Sequence, residues 1–318
     1  MNCQTPNAAT SQARIYTVRG PISPAEMGTC LPHEHVMCDF IGAELTKPER
    51  WQAAVVVDRM EPYLQALVAQ GAESFVDCTP DYLGRDVEVL RQLSERTGLH
   101  IITNTGWYKA PYLPKRAFEN SPEQIADEWI AEWHKGIGQS GIKPGFIKIA
   151  VNPGKLEDVQ RKIVAAAAQT HLASGLLVAC HTGEAAAARE SLDIVEAAKM
   201  NPARYIIVHA DQIASFADHM TLFKRGAWLE YDALGTRPLA SDVALVKRAL
   251  DAGYVDQILL SQDAGWYNVG QADGGQIRPF TSLLGEIIPA LAQAGVNQAT
   301  IVKLMVQNPA RAFTVQPS

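Results

Sequence analysis

The stretch Tyr205-Ile206-Ile207-Val208-His209-Ala210-Asp211 decides how this chain folds. Its apolar run is unbroken, rich in β-branched residues, too short for an ordinary helix, and ends on a histidine. A continuous rather than alternating run is the pattern of a parallel strand buried on both faces. The same design recurs outward in both directions, at residues 30–37, 74–79, 100–105, 145–151, 176–182, 227–232 and 257–262, which predicts eight strands. Helical segments fall between them: 52–70 ending before Gly71, 86–97 before Gly98, 157–173 near Gly175, and 242–252 before Gly253. Glycine past the last helical turn is the usual stop signal. Strands alternating with helices imply a parallel sheet, and eight of them with right-handed crossovers close into an α/β fold, the (β/α)8 TIM barrel. The competing open, doubly wound sheet lacks support, since no GxGxxG follows the first strand. No repeat, linker or shift in composition marks a second domain. The expected organisation is a flexible N-terminal tail over 1–14 and one barrel domain over 15–318.

Composition narrows the function classes. Of 318 residues, 47% are hydrophobic and 19% charged, the balance of a globular chain with a large core. A net charge of −6 and the lack of basic runs argue against a nucleic-acid surface. No stretch approaches the length of apolar sequence that crosses a bilayer, and the polar N-terminus does not read as a secretory signal. Cys3, Cys30, Cys38, Cys78 and Cys180 form no CxxC pair and no disulfide-like spacing, which points to reduced thiols and a cytoplasmic protein.

The ends of the predicted strands carry the chemistry. In His33-Glu34-His35, positions i and i+2 of a strand project to one face, so both imidazoles reach inward and Glu34 is expected to turn to the helical layer. His181 ends the fifth strand, His209 the sixth, and Asp263 the eighth. Barrel enzymes build their sites at this C-terminal mouth. Imidazoles and a carboxylate are the usual ligands of divalent ions, zinc first and cobalt, manganese or iron by the same donor chemistry. Lys148 sits inside the apolar run Phe146-Ile147-Lys148-Ile149-Ala150, where a lone ammonium is costly. A cation cannot stand between two dications, but a neutral lysine amine reacts with carbon dioxide to give an anionic carbamate that bridges them. His100, His134, His171 and His219 fall at strand starts or on helices and receive no role.

These residues resemble a known family. Val18-Arg19-Gly20-Pro21-Ile22, Leu31-Pro32-His33-Glu34-His35, Gly84-Arg85-Asp86, Ile147-Lys148, His181-Thr182 and Asn308-Pro309-Ala310-Arg311 together look like the phosphotriesterase family of the amidohydrolase superfamily, over nearly the whole chain. The resemblance implies two divalent ions. His33, His35 and Asp263 would hold the more buried one, His181 and His209 the more exposed one, and carboxylated Lys148 would bridge them. It further implies attack by a metal-bridging hydroxide with Asp263 taking the proton, and a homodimer.

Substrate choice rests on the loops. Tyr108, in Thr105-Gly106-Trp107-Tyr108, stands where triesterases of this family resemble one another in carrying tryptophan and where lactonases carry tyrosine. Ala233 follows Asp232, where the homoserine-lactone branch has an arginine. The expectation is therefore hydrolysis of a small-molecule carboxylic ester or lactone, with Asp263 and Tyr108 catalytic. Trp107, Trp266 and Tyr267 are expected to line the pocket and Arg237 or Arg278 to hold an anionic substituent. Phosphotriester hydrolysis, amide hydrolysis and a catalytically silent ligand-binding protein are the alternatives. Asp211, close after His209, either orients a ligand or caps the next helix.

Overall fold

A computed structural model describes residues 13–315. The chain folds as a single (β/α)8 barrel. An antiparallel hairpin, β1 (Ile15–Thr17) and β2 (Gly20–Ile22), lies beside the strand starts, with the Val18 amide donating to the Ile101 carbonyl. Residues 1–12 of the expected 1–14 tail lie outside the described residues; Arg14 exchanges two backbone hydrogen bonds with Val315. The barrel strands follow: β3 (Cys30–Cys38), β4 (Ser74–Asp77), β5 (His100–Ile102), β6 (Asn104–Thr105), β7 (Phe146–Ala150), β8 (Leu177–His181), β9 (Tyr205–Val208), β10 (Trp228–Tyr231), β11 (Ile258–Leu260) and β12 (Gly265–Asn268).

Ten segments make eight staves because two staves are broken. The third is split at Thr103, with β5 pairing back to β4 and β6 pairing forward to β7. The eighth is split between Leu260 and Gly265, with β11 pairing to β10 and β12 pairing in parallel to β3. Two backbone bonds complete the closure, from the Asp263 amide to the His33 carbonyl and from the His35 amide to the Ala264 carbonyl. The expected strand at 257–262 is thus shorter than predicted and has a continuation past Asp263. Gly265 makes that continuation possible: its φ is +99°, and a Cβ there would overlap the His35 carbonyl. β3 also bulges against β4 where Pro32 offers no amide proton.

The helices lie outside, α1 (Ala53–Val68), α2 (Val87–Thr97), α3 (Lys115–Glu119), α4 (Pro122–Lys135), α5 (Asp158–Ser174), α6 (Ala185–Ala197), α7 (Phe216–Lys224) and α8 (Leu239–Asp251), with shorter turns from 283 to 313 closing the ring. Asp86 caps α2 through the amides of Glu88 and Val89, and Gly98 ends it at φ +82°. The apolar faces of these helices pack on the barrel wall in one continuous core that includes Phe75, Ile147, Val178, Ile207 and Leu260. Cys30, Cys38, Cys78 and Cys180 are buried free thiols, and burial pushes each of them above the ordinary range. Among the described residues no helix is long and apolar enough to cross a membrane.

Candidate metal centre

The barrel positions its polar residues by ending each stave on one. His33 and His35 project from β3, Lys148 from the middle of β7, and His181 is the last residue of β8. His209 follows β9 at φ +57°, and Asp263 sits in the break of the eighth stave at φ +51°. A left-handed backbone is costly for side chains of this size and persists only where the surroundings enforce it, a habit of functional sites. All six line one cavity of about 100 Å³, together with Phe40, Leu83, Tyr108 and Trp266.

Inside it, ring nitrogens crowd one another, an amine and a carboxylate. Nε2 of His35 lies 3.2 Å and Nε2 of His33 3.8 Å from Oδ1 of Asp263, yet that oxygen is buried without a hydrogen-bond partner. Nε2 of His209 stands 2.7 Å from Nδ1 of His181, and Lys148 Nζ 3.3 Å from Nε2 of His33. No carboxylate lies within 4 Å of Lys148 Nζ among the described residues, although the side chain is buried. Burial, then the nearby lysine, pushes His33 down to about 3, and burial lowers His35 and His181 as well, so these rings present neutral nitrogens. Burial opposes ionisation of Asp263, but the neighbouring imidazoles outweigh it and hold its carboxyl down to about 2. Neutral imidazoles converging on an orphaned carboxylate oxygen are the donor set that divalent ions satisfy, and the ligand-type triads His33–His35–Asp263 and His33–His209–Asp232 meet the spacing for it.

Behind these side chains lies a layer that sequence reasoning missed. Asp232 accepts from the His209 backbone amide at 2.9 Å and lies 2.6 Å from its Nδ1, and 3.2 Å from Nδ1 of His33. Glu230 Oε2 is 2.8 Å from the same His33 nitrogen. These contacts turn Nε2 of both rings into the cavity, the usual carboxylate support of a metal-binding histidine. Burial resists the charge on Asp232, yet the two imidazoles hold it well below the usual range, while burial and Asp232 push Glu230 well above. Asp232 also keeps His209 raised against the opposing effect of burial. Thr79 fixes His35 in turn, 2.7 Å from its Nδ1 and donating to the Met37 carbonyl.

Glu34 does not turn to the helical layer. It is fully buried, and its carboxylate accepts from Ser261 Oγ and the amides of Gln262 and Ala264, clasping the two sides of Asp263. Burial still raises it to about 8 despite those donors.

The predicted pocket residues divide. Tyr108 and Trp266 are in the cavity wall: Tyr108 Oη is 2.8 Å from His181 Nδ1, and Trp266 stacks on His35 with ring centroids 3.8 Å apart. Trp107 is instead core, packed edge-on against Trp129 at 5.5 Å, and Tyr267, also buried, leans on Gly274 away from the cavity. Neither arginine is free for a ligand. Arg237 is clamped between Asp211 and Asp242, and Arg278 is spent on the carbonyls of Gln262, Asp263 and Leu234. Asp211 therefore neither holds a metal ligand nor caps a helix; it bonds Arg237 and the Ala233 amide. A larger cleft, of about 670 Å³, opens beside the β1–β2 hairpin at the opposite end and holds none of these groups.

Comparison with known proteins agrees with this architecture. A phosphotriesterase family model matches residues 13–313. A phosphotriesterase homology protein of Mycobacterium tuberculosis is 30% identical, over 95% of this chain and 98% of that protein, and one of Escherichia coli is 26% identical over 90% and 98%. An N-acetyltaurine hydrolase of Rattus norvegicus is 25% identical over 95% and 98%. Among solved structures, a variant of an organophosphorus hydrolase from Deinococcus radiodurans superposes with a TM-score of 0.85 at 26% identity, covering 96% of this chain and 98% of that one.

Proposed function

The chain belongs to the phosphotriesterase family, and from that membership we propose that it is a two-metal hydrolase of carboxylic acyl bonds, with esters and lactones as its preferred substrates. When bound, the two divalent ions supply an activated water and a Lewis acid for the acyl carbonyl. His33, His35 and Asp263 would hold one ion and His181 and His209 the other, with Lys148 bridging them as its carbamate. A buried lysine without a carboxylate partner supports that modification, because the carbamate replaces an uncompensated cation with an anion.

The chain's own groups do the rest. Asp263, kept ionised among imidazoles, accepts the proton lost by the attacking water. The observation that carries the substrate preference is Tyr108, whose hydroxyl lies 2.8 Å from His181 Nδ1 and whose phenol burial keeps protonated. A neutral phenol at that place can donate a hydrogen bond to the acyl or alkoxide oxygen. Trp266, Phe40 and Leu83 exclude water around it.

Amide hydrolysis is the second reading, favoured by the relatives named N-acetyltaurine hydrolase. The metal-reconstituted protein should be assayed on a lactone and ester series, on amides with the same acyl groups including N-acetyltaurine, and on phosphotriesters. Higher kcat/KM for esters or lactones is the expected result. Faster turnover of every amide supports the second reading, and faster turnover of every triester overturns both.

A further inference from the structure

Lys109 is a cation at the mouth without a carboxylate partner among the described residues. It follows Tyr108, is half-buried, and extends over the Tyr108 ring with Nζ 5.7 Å from the centroid. Its Nζ reaches Nε2 of His181 at 2.9 Å, on the side of that ring away from His209. Among the described residues no carboxylate comes within 4 Å of it. An ammonium has three N–H donors, and one ring nitrogen neither occupies them all nor balances the charge.

The surroundings sharpen the contrast. Arg237 and Arg278, the other cations flanking these loops, are held by carboxylates or by backbone carbonyls. Lys148 is sealed beneath the ligands. The simplest competing account makes Lys109 a support for His181. But Nδ1 of His181 is the nitrogen that faces His209 Nε2, and a ring that gives Nδ1 to an ion carries its proton on Nε2. Two donors then face each other, so that ring nitrogen would not accept from the ammonium, whose N–H groups would be left for another acceptor.

We infer that Lys109 is a specificity-determining residue that binds an anionic group, a carboxylate or sulfonate, carried by the substrate next to its scissile acyl bond. This rests on the hydrolase reading, so its test includes a measurement that needs no turnover. In metal-loaded wild type, Lys109→Met and Lys109→Arg, kcat/KM is compared for N-acetyl-β-alanine against N-acetylpropylamine, and for O-acetyl-3-hydroxypropionate against propyl acetate. Binding of propionate and ethanesulfonate is followed by calorimetry, and metal content is measured for all three proteins. A charge-assisted contact predicts an anionic-over-neutral preference on the order of tenfold in the wild type, lost in Lys109→Met and largely kept in Lys109→Arg. Anion affinity should fall by a similar factor in Lys109→Met, at unchanged metal content. An unaltered preference and affinity in Lys109→Met overturn the inference, as does loss of metal together with anion binding, which identifies a support for His181. If the wild type turns over neither member of either pair, the hydrolase reading fails, and the calorimetry still decides the role of Lys109.

Discussion

At the scale of single residues, Asp232 bears on more of the site than any ligand does. It reaches Nδ1 of both His33 and His209, and with them fixes which nitrogen each ring offers. Asp232→Asn keeps the shape but presents an amide donor where an acceptor is needed, so at least one ring loses its orientation. Metal affinity should fall by roughly 10–100-fold, read as metal retained after dialysis against a graded chelator. Retention equal to wild type would show that Asp232 is incidental. Tyr108→Phe removes only the hydroxyl. It should leave metal content unaltered and lower kcat on lactones on the order of 100-fold, the size of a lost transition-state donor; an unchanged kcat would reduce Tyr108 to wall. The residues that converge in the cavity were legible in the sequence because a strand's end is readable and a histidine or buried lysine there is conspicuous. Asp232 and Glu230 were not, because their meaning depends on which imidazole the neighbouring stave brings alongside. Arg237 and Arg278 read as free cations for the same reason: their partners lie up to 26 and 44 positions away in the chain.

At the scale of elements, the eighth stave sets the geometry. It must leave β10, place Asp263 in the mouth at a positive φ, and rejoin the barrel against β3. Periodicity located β11 but not β12, because Gly265-Trp266-Tyr267-Asn268 reads as loop until β3 is there to pair with it. The fastener is Glu34, whose carboxylate binds the chain on both sides of Asp263 within the break. Glu34→Ala would leave three buried donors without an acceptor, at about 1–3 kcal/mol each. A loss of several kcal/mol in denaturant unfolding is expected, with metal content falling as Asp263 is released. Unfolding at the wild-type midpoint would mean the stave is held elsewhere. A comparable constraint acts on the connection from β6 to β7: Gly106 has φ +108°, and a Cβ there would overlap the Lys148 carbonyl. The loop that carries Tyr108 and Lys109 therefore passes directly over Lys148.

At the scale of the whole molecule, the barrel concentrates at one end groups that oppose its own stability. Lys148 lies buried with no carboxylate within 4 Å among the described residues, and the orphaned oxygen of Asp263 faces two ring nitrogens. Ions that bind these groups in the folded state alone shift the unfolding equilibrium, by about 2.7 kcal/mol when free metal stands at a hundred times its Kd. Lys148→Met separates the two contributions, since it keeps most of the side-chain volume and removes the cation. In chelator, Lys148→Met should unfold at a higher temperature than wild type. With metal restored, wild type should gain stability and Lys148→Met should gain much less, because the bridge between the two ions is gone. Bicarbonate should increase the metal-dependent gain of the wild type and leave that of Lys148→Met alone, which ties the effect to the carbamate. Equal gains for both proteins would show that the ions bind without Lys148, and a lower melting temperature for Lys148→Met in chelator would show that the buried ammonium supports the fold instead of opposing it.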